Sequence, residues 1–313
     1  MRRTGSPALL SVVFASCAGV LAAQNQAAPT SLEQLRATAR NNIITLPVEL
    51  GRLSSQAFVL DSGASSVILN ERIVREHGLS MGKAQAASGA GSDSCRVHLF
   101  PESGVSVAGV HLQTQTVIAP LQHLETFLST EINGVAGGEL FLNHAIAMNF
   151  KERKASVLLE TVRVNSADTV IPLQFRGNLC CILEAEIRIG NVQARGSFLV
   201  DTGALAFEVV LSRSLAQRAG LLPEAISEAI RFPTFCAESS LVLISRNAQV
   251  LLTRKNRTPF TISDVVVFTA LDHEGSLASR DFDGVIGSEM LRKLGRIVIF
   301  DAPHRRLVLR TTN

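Results

Sequence analysis

The 313-residue chain is predicted to be mostly β, with a few short helices and two lobes of similar design. From Ile43 onward, short runs rich in Val, Ile and Leu are broken by Gly, Asn and Ser, a pattern typical of strands joined in hairpins. The length allows roughly two domains of about 150 residues, and a hydrophobic fraction of 46% is enough to build a core in each. The same series of sequence elements also occurs twice, which indicates an internal repeat.

Residues 1–23 have the pattern of a secretory signal peptide. Met1-Arg2-Arg3 precedes an almost uninterrupted apolar stretch that reaches Ala23, and the small residues there suit cleavage after Ala22 or Ala23. Two alternatives stay open: a membrane anchor, for which the stretch is short, and a lipoprotein anchored through Cys17. The apolar run continues past Cys17, so we expect ordinary cleavage and export to the periplasm or the extracellular space.

The remainder of the chain divides into a leader and two lobes. Residues 24–42 are polar and rich in Ala, and Ser31 is placed to cap a short helix that ends near Arg40. The N-terminal lobe is predicted at 43–162 and the C-terminal lobe at 163–313, with a loop between them. No second stretch is long and apolar enough to span a bilayer, so no integral membrane segment is expected in the mature chain.

Each lobe opens with a hairpin whose second strand ends in an aspartate. The two strings are Phe58-Val59-Leu60-Asp61-Ser62-Gly63-Ala64 and Phe198-Leu199-Val200-Asp201-Thr202-Gly203-Ala204. Alone, Asp-Ser-Gly or Asp-Thr-Gly is a common surface turn. Here the apolar flanks bury the turn, and a buried aspartate must find a partner or take a proton.

The two halves continue alike after the aspartate. A short apolar strand leads to a helix with Asn70 or Ser212 at its N-cap and with Gly78 or Gly220 at its C-terminal end. A Gly-containing element and a pair of strands then close each half. The Gly-containing elements are Val135-Ala136-Gly137 and Val285-Ile286-Gly287.

In these motifs the chain resembles the aspartic peptidases, specifically the retropepsin-like type, in which each lobe provides one Asp-Thr/Ser-Gly loop. The resemblance covers about 43–159 and 170–310, and its most specific pieces are the two aspartate strings and the two later Gly-containing elements. It implies a bilobal, pseudo-two-fold acid-protease fold with two closed β-barrel-like lobes. In that family the later element threads behind the aspartate loop and forms its floor.

The resemblance also implies an exported aspartic endopeptidase that acts on peptides or proteins. Asp61 and Asp201 would form a catalytic dyad that shares one proton and one water. Four residues would support the dyad by hydrogen bonding across to the facing loop or by allowing close backbone approach: Ser62, Gly63, Thr202 and Gly203. A Gly-rich segment would form the flap that covers substrate, with Ser88, Gly89, Ala90 and Gly91 at its tip.

Two departures from the usual pattern modify this expectation. Ala64 and Ala204 stand where many pepsins carry a hydroxyl donor, so we expect a raised dyad pKa and activity toward weakly acidic or neutral pH. Leu205-Ala206-Phe207 follows the second loop where the first has Ser65-Ser66. A non-catalytic peptide-binding protein of the same fold therefore stays open as an alternative, as does pairing of two chains, although a monomer is expected.

The segment around 235–240 that corresponds to the flap has no glycine, so a single flap is expected. The plain alternative for the Gly-rich segment is a surface loop.

Charge, histidine and cysteine patterns exclude several other classes. Removal of 1–23 takes away two arginines and no acid, so the net charge lies near zero and gives no case for nucleic acid. The seven histidines lack metal-binding spacing, and no metal or cofactor is expected. Four cysteines outside 1–23 could form one structural disulfide or remain buried free thiols: Cys95, Cys180, Cys181 and Cys236.

Overall fold

The computed structural model describes residues 31–89, 94–101, 104–176, 179–222, 229–236, 238–254, 257–273 and 282–311. The predicted signal peptide with Cys17, the first part of the predicted leader, and the flap residues Ala90 and Gly91 lie outside the described residues. Across the described ranges the chain forms three β-sheets and six short helices, arranged as two lobes. The predicted all-β, bilobal fold is confirmed.

The N-terminal lobe is built on one nine-stranded sheet, in the order β4-β5-β8-β3-β9-β2-β1-β6-β7. Its strands are β1 (Thr45–Leu50), β2 (Leu53–Leu60), β3 (Ile68–Asn70), β4 (Ala84–Ser88), β5 (Ser94–Leu99), β6 (Val105–Val107), β7 (Val110–Leu112), β8 (Val117–Ala119) and β9 (Gly134–Ala136). Its helices are α2 (Glu71–Glu76), α3 (Gln122–Leu128) and α4 (Glu139–Asn143), and α1 (Leu32–Asn41) precedes the lobe.

Five further strands form a second sheet that connects the lobes, in the order β11-β10-β21-β22-β12. They are β10 (Ala145–Asn149), β11 (Lys154–Leu158), β12 (Thr169–Pro172), β21 (Ile297–Asp301) and β22 (Arg306–Arg310). Strand β10 of the first half pairs with β21 of the second, antiparallel, along its full length. The last strand pair of each predicted half is therefore part of one shared sheet.

The C-terminal lobe contains an eight-stranded sheet, in which six strands close into a barrel because β14 pairs with both β15 and β18. Its strands are β13 (Gln174–Arg176), β14 (Leu179–Ile189), β15 (Val192–Asp201), β16 (Val209–Leu211), β17 (Ile230–Pro233), β18 (Glu238–Leu252), β19 (Phe260–Ala270) and β20 (Gly284–Gly287). Its helices are α5 (Arg213–Arg218) and α6 (Ser288–Leu294).

The two lobes place corresponding elements in the same way around each aspartate. Strand β9 runs parallel to β2 and antiparallel to β3, and β20 runs parallel to β15 and antiparallel to β16. Each aspartate lies where β2 or β15 ends, so the later Gly-containing element passes directly beside the aspartate loop. The threading that the sequence resemblance implied is present in both halves.

Local capping explains where the helices begin and end. The Asn70 side chain accepts from the N–H of Arg72 at the start of α2, and Ser212 does the same for Leu215 in α5. Gly78 has a φ of +59° and Gly220 a φ of +68°, a left-handed conformation that ends each helix without a Cβ penalty. The predicted start and stop signals are confirmed.

Helix α1 lies between the lobes. Ser31 and Gln34 form the predicted N-terminal cap by reciprocal hydrogen bonds. Leu35 is buried, and the helix packs against α3 of the N-terminal lobe and β17 of the C-terminal lobe. Just beyond the helix, Asn42 Nδ2 donates to the carbonyl of Leu205 at 2.7 Å, so this segment also contacts the second aspartate loop. None of the helices in the described part of the chain has the length and apolar character needed to cross a bilayer.

Candidate active site

Four hydrogen bonds join the two aspartate loops across the boundary between the lobes. Oγ of Ser62 donates to the carbonyl of Val200 at 2.6 Å and accepts from the N–H of Thr202 at 3.0 Å. In return, Oγ1 of Thr202 donates to the carbonyl of Leu60 at 2.9 Å and accepts from the N–H of Ser62 at 2.9 Å. Both hydroxyl side chains are buried. Each loop therefore completes the hydrogen bonding of the other, and the pair is held as one unit.

The two carboxyls are oriented by backbone N–H groups of their own loops. In each carboxyl one oxygen, Oδ1, accepts from the residues two and three positions later, and the distances are nearly equal in the two halves. The donors are Gly63 (2.8 Å) and Ala64 (3.1 Å) for Asp61, and Gly203 (2.7 Å) and Ala204 (3.1 Å) for Asp201.

The glycine of each loop lies against the carboxyl of the other loop. A Cβ added to Gly63 would stand 2.6 Å from Cγ of Asp201, and one added to Gly203 would stand 2.4 Å from Cγ of Asp61. Any side chain at these positions would push the aspartates apart. The absence of a side chain lets the two carboxyls approach closely enough to hydrogen-bond each other.

The environment raises the pKa of both carboxyls, but to different degrees. Burial by the surrounding protein raises the pKa of Asp61, while the hydrogen bonds it accepts oppose the shift. The pKa of Asp201 is raised well above its usual value, first by burial and then by the negative charge of Asp61. Two buried carboxyls this close cannot both be ionised at low cost, so the pair holds one shared proton above the usual pKa range of aspartates.

The later Gly-containing elements form the floor of the site. The N–H of Asp61 donates to the carbonyl of Ala136 at 3.0 Å. A Cβ on Gly137 would stand 2.6 Å from the carbonyl oxygen of Asp61, and one on Gly287 would stand 2.5 Å from that of Ala204. The backbone of each glycine contacts the backbone of an aspartate loop at these points. A larger residue at either position would therefore displace that loop.

The two aspartate loops differ in the residues that follow Ala64 and Ala204. Ser65 is exposed, whereas its counterpart Leu205 is 7% exposed, and Phe207 is 4% exposed. The Phe207 ring contacts Phe232 and Phe268 edge to face, with centroids 4.6 and 5.4 Å away. The departure in the sequence therefore extends the apolar packing beside the second loop and leaves the carboxyl geometry intact.

One buried acid near the second loop escaped sequence reasoning. Glu208 Oε2 accepts from Nζ of Lys293 at 2.7 Å and from the N–H of Val266 at 3.0 Å. Burial raises its pKa, and the hydrogen bond from Lys293 opposes that shift. These bonds fasten the second loop to β19 and α6. An acid inside an apolar run is a weak signal, because its lysine partner lies 85 positions away.

Of the predicted flap residues, Ser88 lies at the end of β4 and pairs with Ser94 of β5, and Gly89 follows it. Ser88 is exposed, and Gly89 next to it is buried. A second hairpin, β17–β18, lies at the corresponding place in the C-terminal lobe, and Cys236 lies in the turn between its strands. The expectation of a single flap stays a prediction. The structure also resolves the question of the thiols, because Cys95 on β5 and Cys236 form a disulfide.

Comparisons with known proteins give little beyond this geometry. No protein-family model matches the chain, and no curated protein is significantly similar to it. Among solved structures, the crystal structure of basic 7S globulin from soybean is similar at 14% sequence identity, with a TM-score of 0.46. That alignment covers 87% of this chain and 95% of the globulin chain. The strand pairing defines the fold, and the contacts between the two aspartate loops define the candidate site.

Proposed function

We propose that the protein is an aspartic endopeptidase in which Asp61 and Asp201 activate one water molecule for attack on a peptide bond. The observation that carries the proposal is that the two aspartate loops make the same contacts with each other in both directions. Each loop forms hydrogen bonds with the other through Ser62 or Thr202. The glycine of each loop also lies directly against the carboxyl of the facing loop. Two carboxyls brought together in this way, with unequal pKa values, are suited to general acid–base catalysis.

The two carboxyls have different roles in the proposed mechanism. We assign the ionised role to Asp61, because the pKa of Asp201 is raised well above its usual value. Asp61 takes a proton from the water as the water oxygen bonds to the carbonyl carbon. Protonated Asp201 donates to the carbonyl oxygen, which gains negative charge. Collapse of the tetrahedral intermediate breaks the C–N bond and returns a proton to the leaving nitrogen. No metal or covalent intermediate is needed for this sequence.

The pH range of activity follows from the same pair. Catalysis requires one proton on the dyad, and the raised pKa of Asp201 keeps that proton bound above the usual range of aspartates. Neither Ala64 nor Ala204 supplies a side-chain hydroxyl that would stabilise the ionised form. These features support activity at weakly acidic to neutral pH, and a rate profile confined below about pH 4 would contradict them.

Cleavage of a linear peptide library by the wild type, Asp61→Asn and Asp201→Asn tests the proposal. We expect cleavage by the wild type and a loss of about 10²- to 10⁴-fold in kcat/KM in each variant, because either substitution removes one half of the acid–base pair. Asp264→Asn, at an exposed aspartate outside the site, is the matched control and should keep wild-type activity. Loss in only one of the two dyad variants would refute a shared dyad.

Binding without cleavage is the result that would replace this proposal. If the wild type binds extended peptides but cleaves none between about pH 3 and pH 8, the protein is a non-catalytic peptide-binding module of the same fold. Full activity at a monomeric mass would exclude a site shared between two chains.

Export is part of the proposal. A disulfide is typical of proteins outside the reducing cytosol. The Cys95–Cys236 disulfide therefore supports the prediction that residues 1–23 are a secretory signal peptide. Fractionation of cells that express the full chain, with N-terminal sequencing of the product, tests export and the cleavage point together.

A further inference from the structure

Two hairpins occupy corresponding places in the two lobes. Hairpin β4–β5 follows helix α2, and hairpin β17–β18 follows helix α5. The short strand after each aspartate loop, β3 or β16, pairs parallel with β8 or β19. The second strand of each hairpin then pairs antiparallel with that neighbour: β5 with β8, and β18 with β19. The hairpins are therefore equivalent parts of the repeat, one on each side of the boundary between the lobes.

The ends of these hairpins are joined to each other. Cys95 of β5 is linked by a disulfide to Cys236 in the turn of the other hairpin, with 5.2 Å between the Cα atoms. Cys236 Sγ lies 3.4 Å from the carbonyl oxygen of Ala87. A Cβ on Gly89 would stand 3.0 Å from the backbone nitrogen of Cys236, so the two hairpins are in direct backbone contact. Together, Ala84–Gly89, Ser94–Leu99 and Ile230–Cys236 form what we call the disulfide strap.

A further contact holds the strap at the same point. His123 Nε2 on α3 of the N-terminal lobe hydrogen-bonds the carbonyl of Thr234 at 2.8 Å, just before Cys236. The second hairpin is thus attached to the first lobe both by the disulfide and by this bond. Its turn cannot move away from the N-terminal lobe unless both are released.

The inner side of the strap and the aspartate loops belong to one apolar cluster. Ala64 and Ala204, next to the glycines of the site, pack on this cluster, and so do Ala87, Cys95 and Phe235 of the strap. The two lobes are therefore joined at two places: by the Ser–Thr hydrogen bonds between the aspartate loops and by the disulfide between the hairpins. Apolar packing connects the strap to the residues next to the dyad.

We propose that substrate reaches the dyad by passing end-first beneath the disulfide strap, so that the oxidised protein takes extended peptides with a free end. A cyclic peptide or an internal loop of a folded protein has no end to insert. Reduction by a dithiol transfers two electrons and two protons to the Cys95–Cys236 disulfide, yields two thiols and oxidises the dithiol to its own disulfide. The hairpins then separate and admit closed chains. This inference rests on the proposed function for its substrate class, whereas the strap itself rests on the disulfide.

Binding to an inactive variant tests the strap independently of catalysis. A peptide that the wild type cleaves, or failing that one that binds it, is prepared in linear form and as a head-to-tail cycle with a glycine linker. Fluorescence anisotropy then measures the affinity of Asp201→Asn for both forms. We expect the oxidised protein to bind the linear form at least about tenfold more tightly. Treatment of the folded protein with dithiothreitol, or the double substitution Cys95→Ser and Cys236→Ser, should bring the two affinities together.

The control variant is Cys180→Ser with Cys181→Ser, which removes two cysteines from β14 and leaves the strap disulfide in place. It should keep the preference for the linear form. Equal affinities in the oxidised protein, a preference that survives reduction, or free thiols at Cys95 and Cys236 in a non-reducing peptide map would each overturn the strap. A linear-only binder that cleaves nothing would support the strap and refute the peptidase.

Discussion

The loops around Asp61 and Asp201 are alike up to the alanine that follows each glycine, and they differ from there on. Up to that point, the hydrogen bonds from loop N–H groups to the two aspartates agree within 0.1 Å between the halves. Beyond it, the first loop continues through exposed Ser65 into β3, whereas the second carries Leu205 and Phe207 into the apolar cluster and reaches β16 one residue later. Within the two loops, close similarity therefore ends at the alanines, just after the residues that contact the facing loop.

This boundary has a physical reason. Ser62, Gly63, Thr202 and Gly203 each contact the opposite lobe, so a change in one of them must be matched by its partner. The residues after the alanines contact different surroundings in the two lobes, and they can diverge without moving a carboxyl. The comparison predicts that substitutions at corresponding positions before the alanines change activity or stability equally in the two loops. Substitutions at corresponding positions after the alanines should have unequal effects.

The largest effect is expected at the two glycines. Gly63→Ala and Gly203→Ala each place a methyl group within van der Waals overlap of the facing carboxyl, so both should lower kcat/KM by about 10²- to 10⁴-fold by separating the acid–base pair. Gly78→Ala is the control, since its Cβ meets open space and only the left-handed backbone is strained. Peptide cleavage is the measurement, and full activity in either variant would disprove the close approach.

The next effect separates the two halves. Leu205→Ala and Phe207→Ala remove buried side chains beside the second loop and should lower the free energy of unfolding by about 2–5 kcal/mol each. Ser65→Ala, at the exposed position that corresponds to Leu205, should change it by less than about 0.5 kcal/mol. Urea denaturation measures both. Comparable losses at 65 and 205 would mean that the loops pack alike after all.

The cross-loop hydroxyls should again behave as a matched pair. Ser62→Ala and Thr202→Val each remove two hydrogen bonds and leave a buried N–H of the facing loop unpaired, so each should destabilise the fold by about 1–3 kcal/mol. Because the four bonds form one network, the double variant should lose less than the sum. Thr202→Ser keeps the oxygen and serves as the control. Additive losses in urea denaturation would argue against a single network.

Much of this comparison could be predicted from the sequence because it depends on local patterns repeated twice. The strand before each aspartate, the capping residues Asn70 and Ser212, and the glycines that end α2 and α5 are short-range signals that needed no partner. The repeat then related the halves to each other. The Gly-containing elements were predicted from the family resemblance, and their parallel pairing beside β2 and β15 agrees with it.

What the sequence left undetermined depends on contacts between distant positions. The partner of Cys95 lies 141 residues away, and glycine content alone suggested one flap where the strand pairing forms two hairpins. The position of α1 between α3 and β17 has no local signature, because amphipathic spacing gives the buried face of a helix but not what covers it. The repeat did contain one usable clue, namely that both cysteines fall in the segment after the first helix of their lobe.

The smallest effect expected is a pH-dependent gain in stability, and it distinguishes the two aspartates. Since the folded-state pKa of Asp201 is raised, its contribution to stability is complete below the pKa of the unfolded chain and is lost as pH rises through the folded value. Asp201→Asn should therefore stabilise the protein at pH 7 by about 0.5–2 kcal/mol, with the gain vanishing toward about pH 4. Asp61→Asn should gain less, because the proposed mechanism places the shared proton on Asp201. Urea denaturation at both pH values measures the gains, with Asp264→Asn as the exposed control. A larger gain for Asp61→Asn would move the shared proton to the other carboxyl and exchange the two proposed roles.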